Sequence, residues 1–154
     1  MKHFDYFAPT EIIFGAGRVT EAGALAARYG KKAMLVTVPE FPAVAELYAK
    51  VKKSLSDAGV ACVHYDGVIP NPTTELVTRG AELAKAEGVD VVIGLGGGSS
   101  MDTAKAIAVE ATHPGTAWDY NCHTAGPTEQ TLPILAISTT AGTGSQTTPC
   151  AVIT

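Results

Sequence analysis

The chain has 154 residues, 46% of them hydrophobic and 17% charged, with 11 Lys and Arg against 15 Asp and Glu for a net charge of −4. That composition excludes intrinsic disorder and allows a core burying about two-thirds of the unfolded surface; the mild negative charge gives no general attraction to nucleic-acid phosphates or anionic lipid. One domain over residues 1–154 is expected at this length.

Asp5 to Phe14, with aromatics and isoleucines around Pro9, reads as one or two short strands or an extended arm, punctuated by Gly15 and Gly17. Val19 to Tyr29 is alanine-rich and meets Gly30, a helix with a glycine stop. Ala33 to Val38 is a short apolar run, hence a buried strand. Val44, Leu47, Tyr48, Val51 and Leu55 then recur at helical spacing, with Lys50, Lys52, Lys53 and Asp57 opposite and Gly59 as the stop. Val60 to Tyr65 is the next strand, and Asp66 to Pro72 a turn-rich loop.

Thr73 or Thr74 caps a helix reaching about Glu87, with Glu75 in its first turn and Gly88 after its end. Val89 to Gly94 is a further buried strand, Leu95 to Ser100 a glycine-rich loop, and Met101 to about Ala111 an alanine-rich helix. His113 to Thr131 is a long irregular connection holding Trp118, Asp119 and Tyr120. A strand at Ile134 to Ile137, a small-residue loop at Ser138 to Ser145 and the start of a last strand at Ala151 to Thr154 complete the order.

Strands alternating with helices predict βαβ units, so an α/β fold with a mainly parallel sheet and helices on both faces. Ligands of such sheets bind at the carboxyl ends of the strands, where both small-residue loops fall. Cys62, Cys122 and Cys150 are odd in number and form no CxxC pair, which argues against a disulfide framework or a structural zinc cluster and suits a reducing cytosol. The first residues lack a signal-peptide core, and no stretch approaches the ~18 apolar residues of a membrane span. A soluble cytoplasmic protein is expected.

Gly94-Leu95-Gly96-Gly97-Gly98-Ser99 joins a buried strand to a helix. Consecutive glycines let the backbone approach a ligand closely, and the helix turns its free N–H groups and positive dipole end toward that turn. An anion of pyrophosphate type is the natural occupant. The spelling is only close to G-x-G-x-x-G, with Ser99 in the last glycine's place, and Lys105 lies too far along for a Walker A loop. Ser99 and Asp102 also form an S-x-x-D capping box, so capping alone is one reading; Asp102 could both cap and accept from a ribose or a loop amide, although its charge does not itself favour a phosphate. Ser138-Thr139-Thr140-Ala141-Gly142-Thr143-Gly144-Ser145 offers hydroxyls and amides. Alone it is equally a polar surface turn. Beside the first loop it points to a dinucleotide site.

Three stretches together resemble the iron-dependent (group III) alcohol dehydrogenase family, related to glycerol dehydrogenase and dehydroquinate synthase. They are Pro70-Asn71-Pro72-Thr73, Gly96-Gly97-Gly98-Ser99 with Asp102 and Lys105-Ala106-Ile107, and Thr139 to Ser145. The resemblance covers nearly the whole chain. It implies the Rossmann-like N-terminal domain of that family, binding NAD or NADP, with Asn71, Gly96, Gly97, Gly98, Ser99, Thr139, Thr140, Thr143 and Thr148 around the cofactor and Asp102 holding the loop near pyrophosphate and ribose. Trp118 and Tyr120 receive only a packing role.

Val38 stands where NAD-preferring relatives place an Asp for the adenosine ribose, which leaves NADP open, and Gln146 replaces the family's usual Glu. The resemblance also implies a divalent metal, iron or sometimes zinc, bound through an Asp and several His of a following helical domain that this chain lacks. His3, His64, His113 and His123 show no i,i+4 pairing and read as surface or loop residues, so no metal site and no catalytic residue is assigned. The expectation is the coenzyme-binding part of a homo-oligomeric enzyme acting on small alcohols or aldehydes, inactive alone. A non-catalytic nucleotide-binding or assembly module and a relative acting on glycerol or a sugar-derived substrate are the alternatives.

Overall fold

Four strands form one parallel sheet: β1 (Lys32–Val36), β2 (Ala61–Tyr65), β3 (Val91–Gly96) and β4 (Ile134–Ser138), in the order β2-β1-β3-β4. Helix α1 (Ala22–Ala26) precedes β1, and α2 (Pro42–Asp57), α3 (Thr74–Glu87) and α4 (Gly98–Glu110) make the three crossovers. This computed structural model describes residue 3, residues 9–120 and residues 126–154.

Side chains alternate across a strand, so the two central strands feed two cores. Ala33, Leu35, Val91, Ile93 and Leu95 pack with Ala22 and Ala26 of α1 and Tyr48, Val51 and Leu55 of α2. Met34, Val36 and Val92 face the other way, onto Val77 and Ala84 of α3 and Ala104, Ile107 and Ala108 of α4. Burial on both faces explains why β1 and β3 are continuous apolar runs rather than alternating ones. The result is an α/β, Rossmann-like layered fold. From β1 the chain moves outward to β2, then crosses back to β3 and on to β4. Strand order therefore reverses between β1 and β3, and their carboxyl ends flank a crevice.

Several boundaries differ from the sequence expectation. The first helix opens as a 3-10 turn at Arg18–Glu21, and only Ala22–Ala26 is α-helical. The path continues to Tyr29 through 3-10-type bonds from Arg28 N–H to Leu25 O and Tyr29 N–H to Ala26 O. Residues 9–14 contain no strand, and the rest of that expected arm, residues 5–8, lies outside the described residues. Residues 151–154 add no strand to the sheet. Instead Thr154 N–H donates to Pro72 O at 2.9 Å and Thr154 O accepts from Thr74 N–H at 3.0 Å. β3 runs two residues beyond the expected Gly94, and α4 begins at Gly98 rather than Met101.

His64 lies on β2, as the expected strand over Val60 to Tyr65 places it. Thr37 Oγ1 donates to Val38 O at 2.7 Å and lies 2.9 Å from His64 Nε2. With the hydroxyl proton directed at Val38, Nε2 is the donor and Nδ1 is the atom that titrates. The ring meets Tyr48 edge-on, with centroids 5.9 Å apart. Burial, first, and then Lys52 push the imidazole below its ordinary value of 6.5, against the pull of Asp66 and Glu40. A lowered folded value means the unfolded chain takes up the proton first as pH falls. Stability should therefore decline on acidification from pH 7 through the range below 6.5. Denaturant midpoints measured across that range should show the slope in the wild type and a flatter profile in His64→Gln.

Candidate functional site

The site begins with the seat of α4 on β3. A Cβ at Gly94 would lie 2.9 Å from both Ala104 Cβ and Met101 Cα, so only glycine lets the helix lie this close over the strand. Gly96 has φ of 147° and turns the chain sharply. Gly97 is the N-cap, extended at φ −81° and ψ −168°, with no side-chain cap. The backbone thus passes from strand to helix within one residue. Met101 N–H reaches Gly97 O at 3.2 Å, and the N–H groups of Gly98, Ser99 and Ser100 precede it at the positive end of α4.

The capping-box expectation is not met. Ser99 lies inside α4, where its carbonyl accepts from Thr103 Oγ1 at 2.8 Å. Asp102 faces away from the cap. Its Oδ1 accepts from Ser145 Oγ at 2.7 Å and its Oδ2 from Val152 N–H at 3.2 Å. With Gly97 supplying the extended cap geometry, Asp102 is released to fasten the second loop and the last residues onto the helix.

Lys105 completes that fastening. It is 7% exposed, and its Nζ donates to Cys150 O at 2.6 Å, Ser145 Oγ at 2.7 Å and, more loosely, Asp102 Oδ1 at 3.5 Å. Burial pushes its ammonium below the ordinary lysine value, while the Asp102 carboxylate works against that shift. The role of this pair with Ser145 was missed in the sequence. The available signal was a lysine in a helix whose neighbours, Ala104, Ala106, Ile107 and Ala108, are buried and apolar.

The second loop continues the sheet register, with Thr139 N–H donating to Gly96 O at 2.9 Å. It then closes on the glycine turn. A Cβ on Gly97 would stand 3.1 Å from Thr140 Oγ1, and one on Gly98 3.2 Å from Thr143 Cγ2. Thr143 Oγ1 accepts from Ser145 N–H at 3.3 Å, and a 3-10 turn at Ser145–Thr147 follows. The third wall is the turn after β2, where Asn71 takes a left-handed φ of 53°.

These segments enclose a cavity of about 320 Å³ at the mouth of α4. Of the residues expected at a cofactor, Asn71, Gly98, Ser99, Asp102, Thr143 and Thr148 line it, joined by Pro72, Ser145, Cys150 and Val152. Gly96, Gly97, Thr139 and Thr140 form the adjoining turn and do not line it. Val38 is separate, beyond the end of β1, where its carbonyl accepts from Tyr48 Oη at 3.3 Å. A larger groove of about 730 Å³ runs along α3 past Arg79 and Trp118, but it holds none of the expected residues and no helix mouth. The smaller cavity holds the helix mouth and six of the expected residues. Backbone donors, a helix dipole and uncharged hydroxyls suit a diphosphate linked to sugars, so the residues fit a dinucleotide.

They do not fit a divalent metal. Among the described residues no group of three or more His, Cys, Asp and Glu is gathered at one place. His113 is buried rather than superficial. Its Nδ1–H donates to Val109 O at 2.9 Å, which leaves Nε2 to accept from Thr128 N–H at 3.0 Å. It pins the long connection to the end of α4. Tyr120 packs edge-on to it at 5.0 Å, whereas Trp118 is 58% exposed and lines the larger groove. His123 lies outside the described residues. No helix among the described residues is long and apolar enough to cross a membrane.

The sequence model of the family described as "Iron-containing alcohol dehydrogenase" matches residues 9–154. The chain is 46% identical to "Choline dehydrogenase" of Bacillus subtilis (strain 168), covering 100% of itself and 39% of that protein. It is 36% identical to "NAD-dependent methanol dehydrogenase" of Bacillus methanolicus, over 97% of itself and 39% of that protein. A solved archaeal halo-thermophilic Red Sea brine pool alcohol dehydrogenase superposes with a TM-score of 0.94 at 43% identity, covering 100% of this chain and 41% of the other. The chain thus spans about two-fifths of the length of the relatives it matches.

Removing the hydroxyl that Asp102 and Lys105 share should loosen the cavity wall. Ser145→Ala leaves both charged groups short of a partner and should lower unfolding free energy by about 1–3 kcal/mol. Denaturant unfolding measures that loss, and faster amide exchange at Val152 shows where the wall has opened.

Proposed function

The chain belongs to the iron-containing alcohol dehydrogenase family, and from that membership we propose that it binds and orients a nicotinamide dinucleotide for hydride exchange with a small alcohol or aldehyde. Residues 1–154 form the dinucleotide-binding domain in this reading. The carrying observation is the cavity at the mouth of α4, lined by backbone donors and hydroxyls contributed from three separate loops.

The N–H groups of Gly98 and Ser99 hold the pyrophosphate, and the α4 dipole adds its positive end. The hydroxyls of Ser99, Thr143 and Thr148 and the amide of Asn71 bond phosphate and sugar oxygens without adding charge. Gly96 and Gly97 keep the turn low, with Thr139 and Thr140 above it. Val38, at the end of β1, offers no carboxylate to ribose hydroxyls and does not repel a 2′-phosphate, so both NAD and NADP are accepted. When bound, the nicotinamide supplies the hydride acceptor or donor. The protein's own work is to fix where that ring lies and to exclude water beneath the coenzyme.

The described residues hold no metal-ligand set and no group placed to take an alcohol proton, so those roles are assigned to the further chain that the longer relatives possess. The isolated chain then binds coenzyme but turns over alcohol negligibly. Free cysteines and the lack of a membrane-spanning helix among the described residues are consistent with a cytoplasmic setting, and a homo-oligomer is part of the same reading.

Calorimetric titration of the chain with NAD, NADP and ADP-ribose tests the proposal. Saturable binding of all three is expected, because the pyrophosphate carries the affinity. In Gly98→Leu the new side chain projects between Thr143 and the cavity and should weaken binding by about 100-fold or more, with circular dichroism confirming an intact fold. Wild-type chain that binds none of the three, or a Gly98→Leu variant with unchanged affinity, would overturn the assignment.

A further inference from the structure

The carboxylate of Asp102 sets an electrostatic problem for the ligand just described. It lines the cavity at the mouth of α4, where a pyrophosphate would bring two negative charges. A helix terminus contributes only about half a positive charge, too little to offset the carboxylate as well. Asp102 cannot simply be absent, because it fastens Ser145 and Val152 to the helix.

We infer that Lys105 is the positioning residue that makes this cavity tolerant of an anionic dinucleotide: its buried ammonium neutralises Asp102 from behind the wall and braces the opposite side through Ser145 and Cys150. The inference rests on the dinucleotide reading above. Three observations support it. All three acceptors of Lys105 Nζ, namely Asp102, Ser145 and Cys150, line the cavity, whereas Lys105 does not. Lys105 therefore acts through these residues and not by touching the ligand. Its bonds to Ser145 and Cys150 bridge 40 and 45 residues of sequence, from α4 to the far wall. Ser145 Oγ accepts from Lys105 and donates to Asp102, both at 2.7 Å, so one hydroxyl couples the two charges. A buried ammonium with no electrostatic duty would be a poor brace, since a neutral donor makes the same bonds with less desolvation.

A double-mutant cycle separates charge compensation from bracing. Lys105→Met, Asp102→Asn and the combined variant are titrated with ADP-ribose, which carries the diphosphate, and with adenosine, which carries none. Lys105→Met should weaken ADP-ribose by about tenfold or more, the loss expected from one uncompensated charge at partly screened range, and weaken adenosine far less. Adding Asp102→Asn should recover most of that loss, and Lys105→Arg should keep near wild-type affinity. Lys105→Gln, which retains a donor without charge, takes the place of Lys105→Met if the latter does not fold.

Equal losses for both ligands with no recovery in the double variant would make Lys105 a brace only and overturn the inference. Unchanged ADP-ribose affinity in Lys105→Met, with the wild type binding normally, would also overturn it while leaving the dinucleotide reading intact. A wild type that does not bind ADP-ribose would remove both.

Discussion

The site depends on how closely α4 lies over β3. Gly94 has no side chain, and the helix backbone at Met101 occupies the space a methyl group would need. Because the helix sits low, its first turn opens directly at the carboxyl end of the strand, next to the reversal of strand order between β1 and β3. Raise the helix by the width of one methyl, and its N–H groups no longer share a floor with the loop after β4. The apolar cores on both faces hold this geometry rigid, since close-packed interiors adjust only at a cost.

On that platform the remaining walls are fastened by side chains. Asp102 and Lys105 leave α4 on the side of the second loop and capture Ser145, Cys150 and Val152. Each charged group satisfies the other's surroundings, as buried charges require. The membership of the iron-containing alcohol dehydrogenase family fits this division of labour: a sheet that presents donors at one end, and loops that bring hydroxyls to meet them.

Much of this was legible in the sequence because it is periodic or local. Apolar runs at Ala33 and Val89 mark central strands, the helical repeat from Val44 to Leu55 marks α2, and the glycine cluster marks the turn at the mouth of α4. Failures fall where long-range contacts decide. Leu95 and Gly96 look like loop but stay in β3, because β4 pairs with them at Ile137 and Ser138. Ser99 and Asp102 have capping spacing, yet Gly97 takes the cap and Asp102 finds partners 43 and 50 residues away. Lys105 was readable as a motif residue but not as a brace, since neither of its close acceptors is a sequence neighbour. His113 looked like a loop residue because the partners that bury it, Thr128 and Tyr120, belong to the connection that it organises.

The pairing of Thr154 with Pro72 joins positions 82 residues apart. Closing so long a span has a large entropic penalty that local structure cannot offset early. Beside the cavity, this pairing holds the last residues of the chain to the turn before α3. Any ligand held between Asn71 and Val152 would draw that seam closed by mass action.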